Sequence, residues 1–451
     1  MATCSVVALL TGALAAASMQ PAPFQSNRTA GPGTEGTSPF VDSPNPRCGT
    51  WVSTDPNWQG WQLQGASVSN GRLTLPAIPG PLRPAGIPGD SSSFSESPSS
   101  RSDIGEHNSR MATTIPNKGC ADMRGHAVGP IVEVKYPFEN VVPSWNATTP
   151  PGSRFAIDLR ARIGDRWTRW FGMGHWSGDT GGASIPDQSD ADGAVQIDTL
   201  VLQRPANALQ LRIHLTGSNE ASPDVSLAAL CWFNPNAPIQ PNPVDLVTGQ
   251  KVLPVPRHSQ MLQPGPLADS ICSPTSLSMV LGYWGIRRSP MEVAVGVHDS
   301  AADIYGNWPF NTAFAASCGM ASYVTRFRSL EQLQDQIDME RPVEVSIKFG
   351  RGELNGSPLH VSRGHLVVVI GFTPDGDVVV NDPAAPSEES VKRVYQRAEF
   401  ERAWLTGSGG IAYIIKPWQS PASNLRHHGA PLSGSSESLH GADYSNERGG
   451  F

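Results

Sequence analysis

The stretch DSICSPTSLSMVLGYWG, residues 269–285, places a single cysteine, Cys272, in front of a proline and an apolar run. Proline is favoured in the first turn of a helix, because its missing N–H would have no partner there in any case. The apolar residues that follow recur at the spacing of one helix face. They are Leu277, Val280, Leu281 and Trp284. The stretch therefore predicts a helix that starts at or just before Cys272 and buries one face in a core.

Cys272 has two interpretations at such a position. The partial positive charge at a helix N-terminus stabilises a thiolate and lowers the pKa of a cysteine, which suits a nucleophile. A lone cysteine beside an apolar run is more often an inert packing residue. The partners that a nucleophile needs must therefore be sought elsewhere in the chain.

A histidine and an aspartate follow in RGHLVVVIGFTPDGDVVVNDPA, residues 363–384, where two apolar β-branched runs flank the turn residues Thr373–Gly376. With a four-residue loop, His365 lies opposite Ala384, and Asp382 is its diagonal neighbour on the same face. Diagonal Cβ atoms lie about 7–8 Å apart, within reach of an imidazole and a carboxylate. We therefore expect His365 to be a general base whose tautomer Asp382 holds, or else the pair only caps a sheet edge.

The region around these residues mixes helical and strand periodicity. The predicted elements are a helix at 329–340, strands at 342–349, 365–372 and 377–383, a helix at 397–405 and a strand at 410–417. Ser329 and Gln332 have the spacing of a capping box at the start of the first helix. Cysteine, then histidine, then aspartate in one α+β unit is the arrangement of cysteine hydrolases.

Several stretches also resemble a known family. They are VPRHSQ (255–260), ICSPTSLSMVLGYWG (271–285), GHLVVVIGF (364–372) and VVVNDPA (378–384). They resemble papain-like cysteine peptidases related to the leader-processing, double-glycine peptidases of bacteriocin exporters. More narrowly, they are similar to the secreted, stand-alone bacterial members with a β-rich N-terminal region. The resemblance implies a papain-like cysteine peptidase domain over residues 252–417, without the exporter role, since no ATP-binding loop accompanies it.

The resemblance also implies roles for individual residues. Cys272 is the nucleophile, His365 the base and Asp382 its orienter. Gln260 is the oxyanion-hole side chain, completed by the backbone N–H of Cys272, and Gln263 is the fallback. The chemistry needs no cofactor.

Other residues depart from the family pattern or extend it. Family members commonly have glycine directly after the nucleophile, whereas this chain has Ser273, whose side chain either crowds the oxyanion hole or points away. The stretch YGNWPFNTAFAAS (305–317) also resembles the narrower group and is expected to line the cleft. The implied substrate-binding residues are Asn307, Trp308, Asn311 and Gly364. The alternative for Trp308 is a core aromatic.

The N-terminal half, residues 46–235, reads differently. It contains short alternating runs between turn signals, and in RFAIDLRARI (154–163) every second residue is apolar. A period of two indicates antiparallel strands with one buried face, so we expect an all-β sandwich or jelly-roll-like domain with a low-complexity insertion near 80–112. Its tryptophans either pack in the core or form a surface on which the sugars of a cell-wall or glycan ligand stack. These tryptophans are Trp145, Trp167, Trp170 and Trp176.

Composition bounds the location and the partners. The 451 residues carry a net charge of −7, which argues against nucleic-acid binding, and no apolar stretch reaches the length of about 20 residues that spans a membrane. Residues 1–18 resemble a signal peptide without its basic start. The remaining predicted segments are a disordered lead-in (19–45), a linker (236–251) and a disordered tail (418–451). One disulfide is expected between two of the three cysteines Cys48, Cys120 and Cys231, and the sequence does not show which two. The sequence contains no CxxC and no HExxH motif, so no metal site is predicted.

The sequence therefore predicts a secreted or periplasmic, monomeric cysteine peptidase that cleaves peptide or isopeptide amide bonds in a peptide or protein substrate. One alternative is a catalytically degenerate peptidase fold that binds peptides or cell-wall polymer. Another is an acyltransferase.

Overall fold

Two antiparallel sheets form the framework of the protein, one in each half of the chain. The structure, a computed structural model, describes residues 47–54, 58–76, 123–237 and 251–418. The predicted signal peptide, the lead-in, the low-complexity insertion and nearly all of the linker and tail lie outside the described residues. Those segments, and the domain division they imply, stay predictions.

The N-terminal sheet contains thirteen strands within the residues described up to 237. They are β1 (Cys48–Ser53), β2 (Gln62–Gln64), β3 (Ser67–Ser69), β4 (Arg72–Thr74), β5 (Met123–Val128), β6 (Val132–Thr148), β7 (Arg154–Ile163), β8 (Arg166–Trp167), β9 (Phe171–Ser177), β10 (Gly181–Ala183), β11 (Gly193–Gln196), β12 (Thr199–Gly217) and β13 (Asp224–Phe233). Their main order is β10-β9-β7-β12-β6-β13-β4-β3. These described residues contain no helix, so the predicted all-β character is confirmed for them.

Strand β7 shows why this part of the chain forms a sheet. It buries Phe155, Ile157, Leu159 and Ala161 completely and leaves the residues between them at least partly exposed. The predicted period of two is therefore confirmed. The buried face packs into a core around the fully buried Trp145.

The long strands β6 and β12 change partners along their length. The first part of β6 pairs with β12, and the part from Asn140 onward pairs with β13. Strand β12 has register shifts between Val201 and Ala208 and then continues between β5 and β7. Such irregularities bend a strand and increase its twist. Hydrogen bonds thus connect all thirteen described strands, and the sandwich or jelly-roll arrangement stays a prediction.

The C-terminal half is an α+β unit, as predicted. Its strands are β14 (Lys251–Val252), β15 (Met320–Arg326), β16 (Val343–Phe349), β17 (Ser362–Phe372), β18 (Val378–Asn381), β19 (Lys392–Tyr395) and β20 (Ile411–Pro417), in the order β15-β20-β16-β17-β18-β19 with β14 beside β17. Its helices are α1 (Cys272–Tyr283), α2 (Pro290–Val297), α3 (Trp308–Ser317), α4 (Leu330–Asp338) and α5 (Arg397–Glu401), followed by a π-helical turn, Arg402–Thr406, with 3-10 turns at Gln260–Leu262, Gly265–Asp269 and Glu388–Ser390. Across the described ranges, no helix combines the length and apolarity needed to span a membrane.

The predicted capping box at α4 is wrong. Ser329 precedes the helix but its side chain accepts no cap hydrogen bond, and the Gln332 side chain instead accepts from the backbone N–H of Arg328 at 2.8 Å. A reciprocal capping box forms at α2, between Ser289 and Glu292, where the sequence analysis predicted no helix.

Strands β17 and β18 form the predicted hairpin with a corrected turn. The loop has five residues, 373–377, where four were predicted. A bulge at Ile370 offsets the extra residue, so Val368 pairs with Asn381 in the predicted register. Strand β18 ends there, and Asp382 follows immediately.

The two sheets meet along β15, the edge strand of the C-terminal sheet. The backbone N–H of Ser322 donates to Asn146 Oδ1 at 3.0 Å, and the Ser322 carbonyl accepts from Asn146 Nδ2 at 2.6 Å. The Ser144 hydroxyl accepts from the Val324 N–H at 3.1 Å. Phe310 of α3 is buried in the core of the N-terminal sheet. Side chains of β6 thus form hydrogen bonds with backbone groups of β15 that an edge strand would otherwise leave unpaired.

The predicted disulfide does not join the two candidates that the structure describes. Cys48 and Cys231 are free thiols, and Cys120 lies outside the described residues. Cys231 pairs with Thr50, which makes Cys48 a diagonal neighbour. Diagonal residues lie about 7–8 Å apart, whereas a disulfide joins Cα atoms about 4.4–6.8 Å apart.

Candidate active site

Helix α1 begins at Cys272, which confirms the helix start predicted from the sequence. Cys272 is only 3% exposed. At this first helical position, the N–H groups of the opening turn have no partner within the helix and favour a negative charge on the thiol. The Ser276 hydroxyl donates to the Leu366 carbonyl at 3.1 Å, which anchors α1 to β17.

Strand β17 carries His365, which pairs with Ile347 of β16 and not with Ala384 as predicted, because β18 ends before that residue. The prediction that Asp382 contacts it is confirmed. His365 Nε2 lies 2.7 Å from Asp382 Oδ1, and both side chains are buried. Nδ1 has no oxygen or nitrogen partner among the described residues, which leaves this nitrogen available to the Cys272 thiol.

The charge of the pair follows from its surroundings. Burial disfavours the imidazolium, but the Asp382 carboxylate and the Cys272 thiol outweigh burial and raise the pKa of His365 to about 10. Burial also opposes the charge on Asp382, yet His365 and the hydrogen bonds to this carboxylate lower its pKa. At neutral pH the pair is therefore an imidazolium and a carboxylate.

Asp382 accepts hydrogen bonds at both oxygens. Besides His365, Oδ1 accepts from the Ala384 N–H at 3.0 Å, and Oδ2 accepts from the Tyr395 hydroxyl at 2.6 Å. Tyr395 lies in β19, opposite Val378 of β18. Sequence reasoning missed Tyr395, because no motif marks it and only the pairing of β18 with β19 brings it to the aspartate.

Gln260 lies in a 3-10 turn next to the segment that carries Asp382. It is buried, and its backbone N–H donates to the Pro383 carbonyl at 2.8 Å. Its Nε2 donates to the Ala268 carbonyl at 2.7 Å, and an amide nitrogen carries two hydrogens, so one donor remains. The fallback Gln263 turns its amide back onto a carbonyl of its own turn at 3.3 Å. Each amide therefore keeps one hydrogen, but Gln260 is buried whereas Gln263 is partly exposed, and the oxyanion-hole role of Gln260 stays a prediction.

Ser273, the departure from the family pattern, is fully buried against the sheet. Its hydroxyl donates to Glu344 Oε1 at 2.9 Å and lies 3.3 Å from the Tyr413 hydroxyl. The hydroxyl is thus engaged with the sheet, which fits the alternative in which it points away from the oxyanion hole.

Two of the predicted cleft residues use their amides inside the protein. Asn307 caps α3 by accepting from the Phe310 N–H at 3.2 Å, and it donates to Asp299 at 2.9 Å. Asn311 is fully buried and donates to the Tyr305 carbonyl at 2.9 Å. No described hydrogen bond links either amide to the catalytic candidates, and their role in substrate binding stays a prediction.

The other two predicted substrate-binding residues are positioned by the backbone. Trp308 is half-buried. Its backbone N–H donates at 2.9 Å to the carboxylate of Asp198, which lies in the turn between β11 and β12. Gly364 directly precedes the candidate base in β17, and its N–H donates to Ser362 Oγ at 3.0 Å. Gly364 therefore lies beside the catalytic candidates, whereas Trp308 lies where the N-terminal sheet meets α3.

Residues 252–410 match the model of the Peptidase C39 like family, and this range contains Cys272, His365 and Asp382. This part of the chain is similar to C39-like peptidases. Residues 89–232 match the model of the Peptidase C39 N-terminal domain. The resemblance predicted from the sequence, a peptidase of this group preceded by a β-rich region, is confirmed.

Two solved structures are similar to part of the chain. One is described as a C39-like peptidase from Bacillus anthracis; it is 21% identical, covers 38% of this chain and 99% of its own, and has a TM-score of 0.30. The other is a double-glycine motif protease from an AMS/PCAT transporter in complex with the leader peptide, at 22% identity, 38% and 100% coverage and a TM-score of 0.27. No curated protein matches the chain. The family assignment rests on the two family models.

The C39-like domain assembles the groups of nucleophilic catalysis. A buried thiol, a histidine and a carboxylate are the groups that nucleophilic catalysis by cysteine uses. Within the described ranges, no group of three His, Cys, Asp or Glu side chains is placed to hold a metal ion.

Proposed function

We propose that the chain is a cysteine peptidase that hydrolyses peptide or isopeptide amide bonds, with Cys272 as nucleophile, His365 as acid and base, and Asp382 as its orienter. The observation that carries the proposal is the buried 2.7 Å contact between His365 and Asp382, next to a thiol at the start of α1. Because the pKa of His365 is about 10, the imidazole holds a proton at neutral pH, as a thiolate–imidazolium pair requires.

The reaction has two halves. The Cys272 thiolate attacks the amide carbon, and the resulting oxyanion is bound by the free amide hydrogen of Gln260 and the backbone N–H of Cys272, each worth about 3–4 kcal/mol. His365 gives its proton to the leaving amine as the C–N bond breaks, which leaves a thioester. His365 then takes a proton from water as the water oxygen attacks the thioester, and the thiolate leaves from the acid product.

A Ser273 side chain that crowded the oxyanion hole would favour a degenerate, binding-only domain. Its hydrogen bond to Glu344 supports the catalytic alternative, because the hydroxyl has a partner in the sheet and no need of one at the oxyanion. An acyltransferase in which an amine replaces water uses the same residues and differs only in its product.

A glycan ligand for the N-terminal sheet has less support. Trp167 and Trp170 are half-buried, and the Arg160 guanidinium stacks on both rings at 4.5 Å. Arg212 also stacks on Trp170 at 4.5 Å. These ring faces are engaged within the protein, and the glycan ligand, the monomeric state and the extracytoplasmic location stay predictions.

The proposal is tested with Cys272→Ala and, as a matched control, Cys318→Ala, the other cysteine of the C39-like domain. Each full-length variant is incubated with a peptide library, and cleavage products are read by mass spectrometry. We expect cleavage by the wild type and by Cys318→Ala and none by Cys272→Ala. Unchanged cleavage by Cys272→Ala, or no cleavage by a folded wild type, would contradict the proposal.

A further inference from the structure

A buried polar cluster lies against the first turn of α1. It consists of Ser273, Glu344 and Tyr413, and all three side chains are fully buried. The Ser273 hydroxyl donates to Glu344 Oε1 at 2.9 Å and lies 3.3 Å from the Tyr413 hydroxyl. The proposed reaction steps use none of these three side chains, although Ser273 directly follows the nucleophile Cys272 in the chain.

The carboxyl of this cluster comes from the middle of the sheet. Glu344 of β16 pairs with Tyr413 of β20 on one side and with Val368 of β17 on the other. Glu344 Oε2 has no hydrogen-bond partner among the residues that the structure describes. A buried carboxylate that lacks a cation and leaves an oxygen unpaired is costly, so such a group is expected to hold its proton.

Burial and the charge of Cys272 act in the same direction on Glu344. From α1 the neighbours are Cys272 and Ser273, from β20 Tyr413, and from β17 the apolar Val368. Burial raises the pKa of Glu344 well above its ordinary value, the hydrogen bond from Ser273 opposes this, and the negative charge of Cys272 raises it further. Burial, Glu344, Asp198 and Cys272 raise the pKa of Tyr413, and the contact with the Ser273 hydroxyl opposes this. Burial therefore favours the uncharged form of both Glu344 and Tyr413.

We propose that Glu344 is a positioning residue for the nucleophile: through Ser273 it holds the opening turn of α1 so that the Cys272 thiol meets His365. The carboxyl acts in its neutral form, because a carboxylate would place a second negative charge beside the thiolate and oppose its formation. This inference deepens the proposed function, since it assigns a further residue to the same thiolate–imidazolium pair.

The test follows the alkylation of Cys272 by iodoacetamide from about pH 5 to about pH 9, because the rate reports the thiolate fraction at each pH. Glu344→Gln keeps a neutral side chain with a carbonyl oxygen that accepts from Ser273. Glu344→Leu keeps a similar volume without the acceptor. Ser273→Ala removes the hydroxyl that donates to Glu344, and it replaces Glu344→Leu in the test if the leucine variant does not fold. Thermal unfolding of each full-length variant establishes that it is folded.

We expect Glu344→Gln to keep the wild-type midpoint of alkylation. Glu344→Leu and Ser273→Ala should raise the midpoint by about one pH unit, which makes alkylation about tenfold slower at low pH. A midpoint that falls in both Glu344 variants would mean that the carboxyl is charged in the wild type, and a midpoint that moves in neither would mean that Glu344 only packs. Either result overturns the inference.

The alkylation rate needs no substrate turnover, which separates the two proposals. If the wild type cleaves no peptide but the midpoints move as expected, the proposed hydrolysis is wrong and the positioning role of Glu344 holds. If cleavage depends on Cys272 and the midpoints do not move, the peptidase proposal holds and the role of Glu344 is wrong.

Discussion

The hydroxyl of Tyr395 donates a 2.6 Å hydrogen bond to Asp382 Oδ2, the oxygen that His365 does not use. Both oxygens of the buried carboxylate therefore have donors, and its plane is held from two sides. A carboxylate that is fixed in this way keeps the imidazole in one orientation, which a proton transfer at Nδ1 requires.

Tyr395→Phe should therefore weaken the triad without removing a member of it. The change leaves Asp382 Oδ2 without its donor, and a hydrogen bond to a charged group is worth about 1.5–3 kcal/mol. We expect kcat to fall about tenfold and the thermal midpoint to fall by several degrees. The control is Tyr283→Phe, whose hydroxyl donates to the Glu340 carbonyl at the surface. Wild-type kcat and thermal midpoint in Tyr395→Phe would contradict this role.

The pKa of His365, about 10, predicts where activity is lost on the alkaline side. The imidazolium persists until the pH approaches that value, so kcat/KM should decline only there. Asp382→Asn removes the charge that holds the proton, and the alkaline limb should move down by more than one unit, toward the ordinary histidine value of about 6.5. A pH–rate profile measures this shift, and an alkaline limb unmoved in Asp382→Asn contradicts the assignment.

The raised pKa of His365 also predicts that the stability of the fold decreases as the pH rises. Because the folded-state pKa of His365, about 10, lies above that of the unfolded chain, the imidazolium contributes stability that is complete below about pH 6.5. This contribution is lost as the pH rises through the folded-state value. The thermal midpoint of the wild type should therefore fall more steeply over this range than that of Asp382→Asn.

The oxyanion hole gives a prediction that separates two glutamines. Gln260→Ala removes a buried amide with one hydrogen to spare, and loss of one oxyanion donor lowers kcat about 10²–10³-fold. Gln263→Ala is the control, since that amide is bonded within its own turn, and it should keep kcat within about threefold. Steady-state kinetics on a cleaved peptide decides between them. Equal losses in both variants would contradict the assignment of Gln260.

Local sequence signals predicted the catalytic candidates because each lies in an element with a strong pattern. Cys272 follows from a proline and an apolar helical stripe, and the contact of His365 with Asp382 follows from a hairpin with buried β-branched strands. The hairpin turn was wrong by one residue because a bulge, here at Ile370, has no clear sequence signal.

The contacts that sequence reasoning missed depend on pairings between distant strands. Tyr395 reaches Asp382 only because β19 pairs with β18, and Glu344 meets Ser273 only because β16 lies under α1. The spacing of residues along one strand does not say which strand lies beside it. Asn146 and Ser322 are 176 positions apart in the sequence, and the contact between the two sheets was likewise not predicted.

That contact gives a prediction about stability. Asn146→Ala leaves the backbone N–H and carbonyl of Ser322 buried without partners, and each unsatisfied group costs about 1–3 kcal/mol. We expect the free energy of unfolding to fall by about 2–4 kcal/mol. The control is Asn236→Ala, an exposed asparagine bonded to Glu139, which should change the free energy by less than about 0.5 kcal/mol. Urea unfolding measures both, and equal effects would mean that the Asn146 amide does not stabilise the edge of the C-terminal sheet.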